Sequence, residues 1–157
     1  MKIKIVCVGK LKEKYLKDGI DEYVKRISRF TKVEIKELPD EKIPDNPSPA
    51  QCTAVLKSES EKIEKHLEGY IISLCVEGEN LSSEKLAEKL ANIQLNGNST
   101  ITFVIGGSLG IDDKIKKTSH FKLSFSKMTF PHQLMRLILT EQIYRAFKIN
   151  NNENYHK

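Results

Sequence analysis

The chain has 157 residues, of which 39% are hydrophobic and 30% charged, and its formal net charge is +5 at pH 7. This length and composition predict one globular domain, residues 1–157, large enough to bury a hydrophobic core. No apolar run approaches the ~18 residues that a membrane-spanning helix needs. The first residues, MKIKIVCVGK, lack a small-residue cleavage site and therefore favour a first strand over a secretory signal.

The charge balance leaves two interpretations open. The 26 basic residues outnumber the 21 acidic ones, which favours a polyanionic partner such as nucleic acid. Many small soluble proteins, however, carry a net charge of this size without any polyanionic partner. Charge alone therefore does not decide between the two.

The three cysteines, Cys7, Cys52 and Cys75, are odd in number and none belongs to a CxxC motif. Cys7 and Cys75 lie inside apolar, strand-like runs. We interpret the cysteines as reduced core residues of a cytoplasmic protein, because this pattern matches neither a disulfide framework nor a metal site.

Five short runs rich in aliphatic and β-branched residues predict β-strands. In chain order they are 3–9, 32–38, 70–78, 100–107 and 121–126. Because these runs are almost continuously apolar and alternate with helical stretches, they are typical of a parallel sheet covered on both faces.

Helical periodicity fills the segments between the predicted strands. The predicted helices are 11–30, 48–69, one from Ser82 to Gly97, 111–118 and 132–150. In the second helix, Ser48, Pro49 and Gln51 match a capping box with proline at the first helical position. The order β-α-β-α-β-α-β-α-β-α predicts an α/β fold.

The last predicted helix is apolar on two sides. A wide apolar arc is expected to face the sheet, and it consists of Met135, Leu139, Ile143, Tyr144, Ala146 and Phe147. Leu134 and Ile138 lie on the other side, among polar residues. A helix of this kind usually has a second partner, which predicts a homodimer. The alternative is that two scattered exposed aliphatic residues have no significance.

Gly106, Gly107 and Gly110 follow the most apolar predicted strand directly, in FVIGGSLGIDD. Ligands of α/β sheets lie at the carboxyl ends of the strands, where glycines let the backbone turn sharply and approach a ligand. The spacing matches neither GxGxxG nor GxxxxGK[ST]. The segment is therefore compatible with a tight turn as well as with a ligand loop.

The segment FSKMTFPHQLMR, residues 125–136, connects the last predicted strand to the last helix. Arg136 lies in the first helical turn, where the helix dipole disfavours a cation. This position indicates an anionic partner, either a phosphate or a neighbouring carboxylate, and a structural ion pair is the alternative. His132 is either a general base or a helix-start histidine that makes a local hydrogen bond.

The C-terminal segment NNNENYHK is polar, as a frayed terminus would be. Its residues Tyr155, His156 and Lys157 nevertheless combine a stacking ring, a titratable imidazole and a cation, which suits contact with a nucleotide. No His, Cys, Asp or Glu cluster has metal-ligand spacing, so no metal is expected. The GxSxG motif of nucleophilic serine enzymes is also absent.

Four segments together resemble the RlmH family over nearly the whole chain: VGKLKEKY, FVIGGSLG, LSFSKMTFPHQLMRLILTEQIYRAFKI and the terminal YHK. Members of this family are small methyltransferases of the SPOUT superfamily that methylate N3 of a pseudouridine in large-subunit ribosomal RNA. The resemblance implies a parallel-sheet SPOUT fold with a deep trefoil knot in residues 70–157, an exception to the rule against knotted chains. It also implies a homodimer, S-adenosylmethionine as cofactor and 23S rRNA in the ribosome as partner, with pseudouridine 1915 of helix 69 as the target.

Carried over residue by residue, the resemblance assigns the cofactor contacts to three segments. They are Leu74 after the third strand, Gly106 in GGS, and the loop formed by Phe125, Ser126, Lys127, Met128, Thr129 and Phe130. Apolar side chains of this loop would cover the adenine while backbone groups hydrogen-bond its edge. The expected catalytic residues are His132, Arg136, Tyr155 and His156, of which the last three, with Lys157, would hold the RNA in cis or across the dimer.

Three rival functions remain. A non-catalytic ribosome-binding module would share the charge and the tail, but its GGSLG and FSKMTF segments would not need to form a pocket. Another SPOUT enzyme, acting on ribose or on transfer RNA, would keep the knot. Without the resemblance, a flavodoxin-like nucleotide binder fits the order of elements best.

Overall fold

A computed structural model describes residues 1–157 of the chain. Its strands are β1 (Lys2–Val8), β2 (Lys32–Leu38), β3 (Tyr70–Asn80), β4 (Thr100–Ile105) and β5 (Phe121–Ser124). Its helices are α1 (Lys14–Ile27), α2 (Pro49–Glu64), α3 (Ser83–Leu95), α4 (Asp113–Thr118) and α5 (His132–Asn150). None of these helices is both long enough and apolar enough to cross a membrane.

The five strands form one parallel sheet in the order β2-β1-β4-β3-β5. Strands β1 and β4 lie inside the sheet and are buried along nearly their whole length. This burial on both faces explains why their sequences are continuously apolar rather than alternating. The predicted α/β fold with a parallel sheet is confirmed.

Each face of the sheet carries its own hydrophobic core. One core lies under α1, α3 and α5 and includes Phe103, Leu90 and Leu139. The other lies under α2 and α4 and includes Ile63 and Ile115. Because α5 packs against both α1 and α3, the two ends of the chain meet on the same face. Helices cover both faces of the sheet, as predicted.

The second helix begins with the predicted capping box. The Ser48 hydroxyl accepts a hydrogen bond from the Gln51 amide at 3.1 Å, and the Gln51 side chain accepts one from the Ser48 amide at 2.8 Å. These bonds satisfy backbone donors that the first helical turn leaves unpaired. The helix ends at Glu64 rather than at Gly69, which instead adopts φ +67° in the turn before β3.

Strand β3 is longer than predicted and is interrupted. Leu74 and Glu79 both pair with Leu123 of β5, so residues 75–78 bulge out of the ladder. A Cβ at Gly78 would lie 2.8 Å from backbone atoms of residues 122 and 123, so only glycine fits where the bulge returns to the sheet. The sequence pattern did not predict this bulge, because residues 70–78 were interpreted as one uninterrupted strand.

Helix α5 buries most of its predicted apolar arc. Leu139, Ile143, Tyr144, Ala146 and Phe147 are buried, while Met135 is half-buried. Leu134 and Ile138 are half-buried on the other side of the helix. A single chain contains no second partner for that side, so the homodimer stays a prediction.

Candidate functional site at the carboxyl edge of the sheet

A cavity of about 370 Å³ opens at the carboxyl ends of β3, β4 and β5, beside the first turn of α5. Its walls consist of residues 74–77, 105–111, 123–126 and 128–130, together with Lys116, His132 and Met135. Because the strands are parallel, the turns that follow them meet at one edge. The three segments that the sequence analysis singled out therefore surround a single space.

Seven of the eight residues expected to contact a cofactor line this cavity: Leu74, Gly106, Phe125, Ser126, Met128, Thr129 and Phe130. The eighth, Lys127, is exposed and does not line it. The structure thus brings the predicted segments together and leaves out one charged side chain.

The glycine segment is both a tight turn and a cavity wall. A Cβ at Gly106 would overlap the carbonyl oxygen of Gly110. Gly110 adopts φ +83°, in the left-handed region that favours glycine, and its amide donates to the Gly107 carbonyl at 3.0 Å. The two interpretations left open by the sequence are therefore compatible.

The loop 125–130 is held by its own short-range hydrogen bonds. The Ser124 hydroxyl donates to the Ser126 carbonyl at 3.0 Å, and the Met128 amide donates to the Ser126 hydroxyl, also at 3.0 Å. The Met128 side chain is 74% exposed at the mouth of the cavity. A flexible thioether in this position can fold over an apolar ligand surface.

His132 lines the cavity from the start of α5. Its ring occupies space left free by Gly9, where an added Cβ would lie 2.9 Å from the His132 Cε1 atom. The Nδ1 atom is buried and has no hydrogen-bond partner. Burial, and then the positive charge of Arg136, lower the pKa of His132 below its ordinary value of 6.5. The imidazole is therefore neutral at pH 7 and able to accept a proton.

Arg136 is 1% exposed and has an anionic partner inside the chain. Its Nη1 atom donates to Glu37 Oε2 at 2.6 Å, and its Nη2 atom donates to the Gly9 carbonyl at 3.1 Å. Burial raises the pKa of Glu37, but hydrogen bonds from Arg136 and the Leu11 amide outweigh it and hold the pKa below 4.5. Of the expected partners, the neighbouring carboxylate is present, and this burial does not fit direct contact with RNA.

The C-terminal tail is packed rather than frayed. The Tyr155 hydroxyl donates to Glu141 Oε1 at 3.0 Å. His156 lies between two charged groups, with Nε2 at 2.7 Å from Glu84 Oε1 and Nδ1 at 3.1 Å from Arg145 Nη1. No tail residue lines the cavity. Within one chain, the structure therefore does not bring Tyr155 and His156 to the cavity.

Sequence reasoning missed the polar groups that the β3 bulge carries into the cavity wall. Cys75, expected in the core, is half-buried and lines the cavity. Glu77 lines it too and forms an ion pair with Lys116 of α4. The only sequence signal was the run of charges that follows SLCV. All three cysteines are free thiols, and no group of three His, Cys, Asp or Glu residues is arranged to hold a metal ion.

Two solved structures share the fold at low sequence identity. A probable methylase family protein from Haemophilus influenzae Rd KW20 matches 99% of this chain and 70% of its own, with a TM-score of 0.54 and 14% identity. A tRNA (m1G37) methyltransferase from Aquifex aeolicus matches 92% of this chain and 70% of its own, with a TM-score of 0.52 and 15% identity. At these identities the similarity concerns the fold alone.

Curated relatives are similar along the entire chain. A putative ribosomal RNA large subunit methyltransferase H from Methanococcus maripaludis is 55% identical over 100% of both chains. Proteins named ribosomal RNA large subunit methyltransferase H from Bifidobacterium animalis and Lactobacillus delbrueckii are 55% and 56% identical, again over 100% of both chains. The family described as predicted SPOUT methyltransferase matches residues 1–156. The chain therefore belongs to the SPOUT methyltransferase family.

Proposed function

We propose that this chain transfers a methyl group from S-adenosylmethionine to N3 of a pseudouridine in large-subunit ribosomal RNA. The target would be pseudouridine 1915 in helix 69 of 23S rRNA, in the assembled ribosome and in the cytoplasm. The observation that carries the proposal is the convergence of three separate turns on one cavity. Relatives of 55% identity whose names give large-subunit ribosomal RNA as substrate support the choice of RNA.

The cavity fits an adenosyl ligand in size and chemistry. Its volume of about 370 Å³ lies within the range of small-molecule sites. Leu74, Ile105 and Phe130 supply apolar walls, and the turn at residues 106–110 exposes backbone groups beside them. The eighth expected contact, Lys127, is not needed for this fit. When bound, S-adenosylmethionine supplies a methyl group that is activated by a positively charged sulfonium.

The main task of the protein residues is to align this methyl group with the attacking nitrogen. Positioning is worth ~7–11 kcal/mol, whereas a general base adds ~10²–10⁴-fold. A bound donor would supply the methyl group and would leave as a neutral thioether as the C–N bond forms, and the nucleobase N–H would lose a proton. Neutral His132, at the cavity wall, is the side chain that we assign to accept this proton.

The proposal also includes a knot, a dimer and contacts to RNA. Residues 70–157 would form the trefoil knot, and two chains would form a homodimer through Leu134 and Ile138 of α5. Tyr155 and His156 would reach RNA across that dimer, since they do not line the cavity of their own chain. Arg136 would act indirectly, by holding Gly9 and the first turn of α5 in place.

Transfer of radiolabelled methyl from S-adenosylmethionine to RNA tests the proposal. Free ribosomal RNA, isolated large subunits and assembled ribosomes are compared, and mass spectrometry of the digested nucleosides identifies the product. We expect N3-methylpseudouridine with assembled ribosomes. Cofactor binding without any transfer would favour the non-catalytic module, and a methylated ribose or transfer RNA would favour another SPOUT activity.

A further inference from the structure

Glu59 is a buried carboxylate on α2 that no part of the proposed reaction uses. Its side chain is 4% exposed. The Oε2 atom accepts a hydrogen bond from the Glu41 amide at 3.2 Å, whereas the Oε1 atom has no partner. A buried carboxylate oxygen without a partner is costly, so its surroundings show what could compensate it.

Only a glycine separates this carboxylate from the cavity. A Cβ built on Gly107 would lie 3.2 Å from Glu59 Oε1 and 3.3 Å from Oε2, so the carboxylate lies directly behind this residue. Gly107 itself lines the cavity. The Glu59 carboxylate is therefore separated from the cavity by a single residue, Gly107.

The chain provides little positive charge to balance Glu59. The charged groups that act on the pKa of Glu59 are Asp40 and Glu41, which are acidic, and Lys62, whose ammonium donates to Glu41 Oε1 at 2.6 Å. The charged side chains in the cavity wall, Glu77 and Lys116, pair with each other. Burial first, and then the charge of Asp40, raise the pKa of Glu59 above its ordinary value. A cation in the cavity would supply the missing charge.

We propose that Glu59, placed behind Gly107, makes the cavity prefer a positively charged sulfonium to the neutral thioether that remains after methyl transfer. This inference rests on the proposed function. Glu59 acts here as a positioning and specificity residue, since it does not line the cavity. The preference would favour binding of fresh methyl donor and release of the spent product.

Isothermal titration calorimetry of the full-length protein tests the inference with two ligands, S-adenosylmethionine and S-adenosylhomocysteine. Glu59→Gln keeps the shape and an oxygen that can accept from the Glu41 amide, but it removes the charge. We expect the ratio of the two affinities to shift toward the thioether by roughly tenfold, the order expected for two unit charges ~10 Å apart at an effective dielectric constant of ~20. Glu61→Gln, an exposed change on the same helix, is the matched control and should leave the ratio unchanged.

Each outcome separates this inference from the proposed function. If the wild-type protein binds neither ligand, the proposed function fails. If it binds both and Glu59→Gln weakens them equally, Glu59 has only a structural role and the inference fails while the proposed function stands. Sinefungin has a protonated amine in place of the methylsulfonium. Its affinity for the Glu59→Gln variant should therefore fall together with that of S-adenosylmethionine. An unchanged sinefungin affinity would overturn the electrostatic explanation.

Discussion

The end of β1 and the C-terminal tail differ in how completely their polar atoms are hydrogen-bonded. Around the end of β1, three buried polar atoms lack hydrogen-bond partners: Glu59 Oε1, His132 Nδ1 and Arg136 Nε. In the tail, the Tyr155 hydroxyl and both ring nitrogens of His156 have partners. Polar atoms near the end of β1 are thus left without hydrogen bonds, while those of the tail are hydrogen-bonded within the chain.

The unpaired atoms near the end of β1 lie beside the cavity, whereas the hydrogen bonds of the tail stabilise the folded chain. An unpaired buried polar atom costs ~1–3 kcal/mol, and all three lie beside the cavity: His132 lines it, Glu59 lies behind Gly107, and Arg136 follows one turn later in α5. The tail instead adds to the fold, because Tyr155 also packs edge-on against Tyr144 with ring centroids 4.8 Å apart. Damage near β1 and the cavity should therefore affect cofactor binding first, and damage to the tail should leave cofactor binding unchanged.

The largest effect is expected for Gly106→Ala. The added Cβ overlaps the Gly110 carbonyl, so the backbone of the turn must move and the cavity wall with it. A displacement of this kind is expected to reduce methyl transfer at least ~100-fold. Calorimetry with S-adenosylmethionine should show the loss at the binding step. Gly19→Ala is the matched control, because its Cβ meets only the flexible end of Leu137, at 3.0 Å.

His132→Ala provides the contrast within the same cavity. It removes a group that accepts a proton but leaves the turns in place, so methyl transfer should stay measurable and cofactor affinity should change little. If His132→Ala lowered the rate of methyl transfer more than Gly106→Ala does, proton acceptance would matter more than alignment of the methyl group, contrary to this expectation.

The next largest effect is expected for Glu37→Ala, which removes the anionic partner of Arg136. The guanidinium is 1% exposed and would be left with the Gly9 carbonyl as its acceptor. The expected loss is about 2–3 kcal/mol in the free energy of unfolding, less than for a fully buried pair because Glu37 is partly exposed. Urea unfolding measures it.

Glu22→Ala is the control for this variant, since it removes the carboxylate of an exposed pair with Arg26 on α1. It should leave the midpoint of urea unfolding unchanged. Equal destabilisation by the two variants would show that the buried pair has no special role near the cavity.

A smaller and more selective effect is expected when residues 155–157 are deleted. RNA methylation should fall roughly tenfold, because a stacking ring contributes ~1–3 kcal/mol to nucleotide binding. Cofactor affinity should not change, since no tail residue lines the cavity. Deletion of Lys157 alone is the control that keeps Tyr155 and His156. If calorimetry showed weaker cofactor binding after deletion of residues 155–157, the tail would contribute to the cofactor site, contrary to this expectation.

The smallest effect concerns pH. The folded pKa of His132 lies below the ordinary 6.5, so the neutral ring contributes stability that is fully present above pH 6.5. This contribution is lost as the pH falls through the lower folded pKa, because the unfolded chain binds the proton first. Thermal unfolding from about pH 8 to pH 5 should therefore show a shallower decline for His132→Gln than for the wild type. Identical declines would contradict a buried neutral His132.

Local sequence patterns predicted the elements and the position of the cavity well. The capping box at Ser48 was confirmed because its atoms lie within four consecutive residues. The segments that contain residues 74, 106 and 125–130 were expected at one edge because parallel strands end at the same edge of a sheet, whereas the individual contacts at these residues came from the family resemblance. Lys127 was the one expected contact that fell outside the cavity wall, and its side chain is exposed.

By itself, then, the sequence determined the α/β order, the covered sheet and the three turns that follow β3, β4 and β5, because each depends on residues close together in the chain. Tertiary structure decided the rest. Arg136 meets Glu37 across 99 positions, Glu59 of α2 lies behind Gly107 in the turn after β4, and the tail packs back on α3 and α5. Such contacts depend on how elements distant in sequence pack together, which no local pattern records.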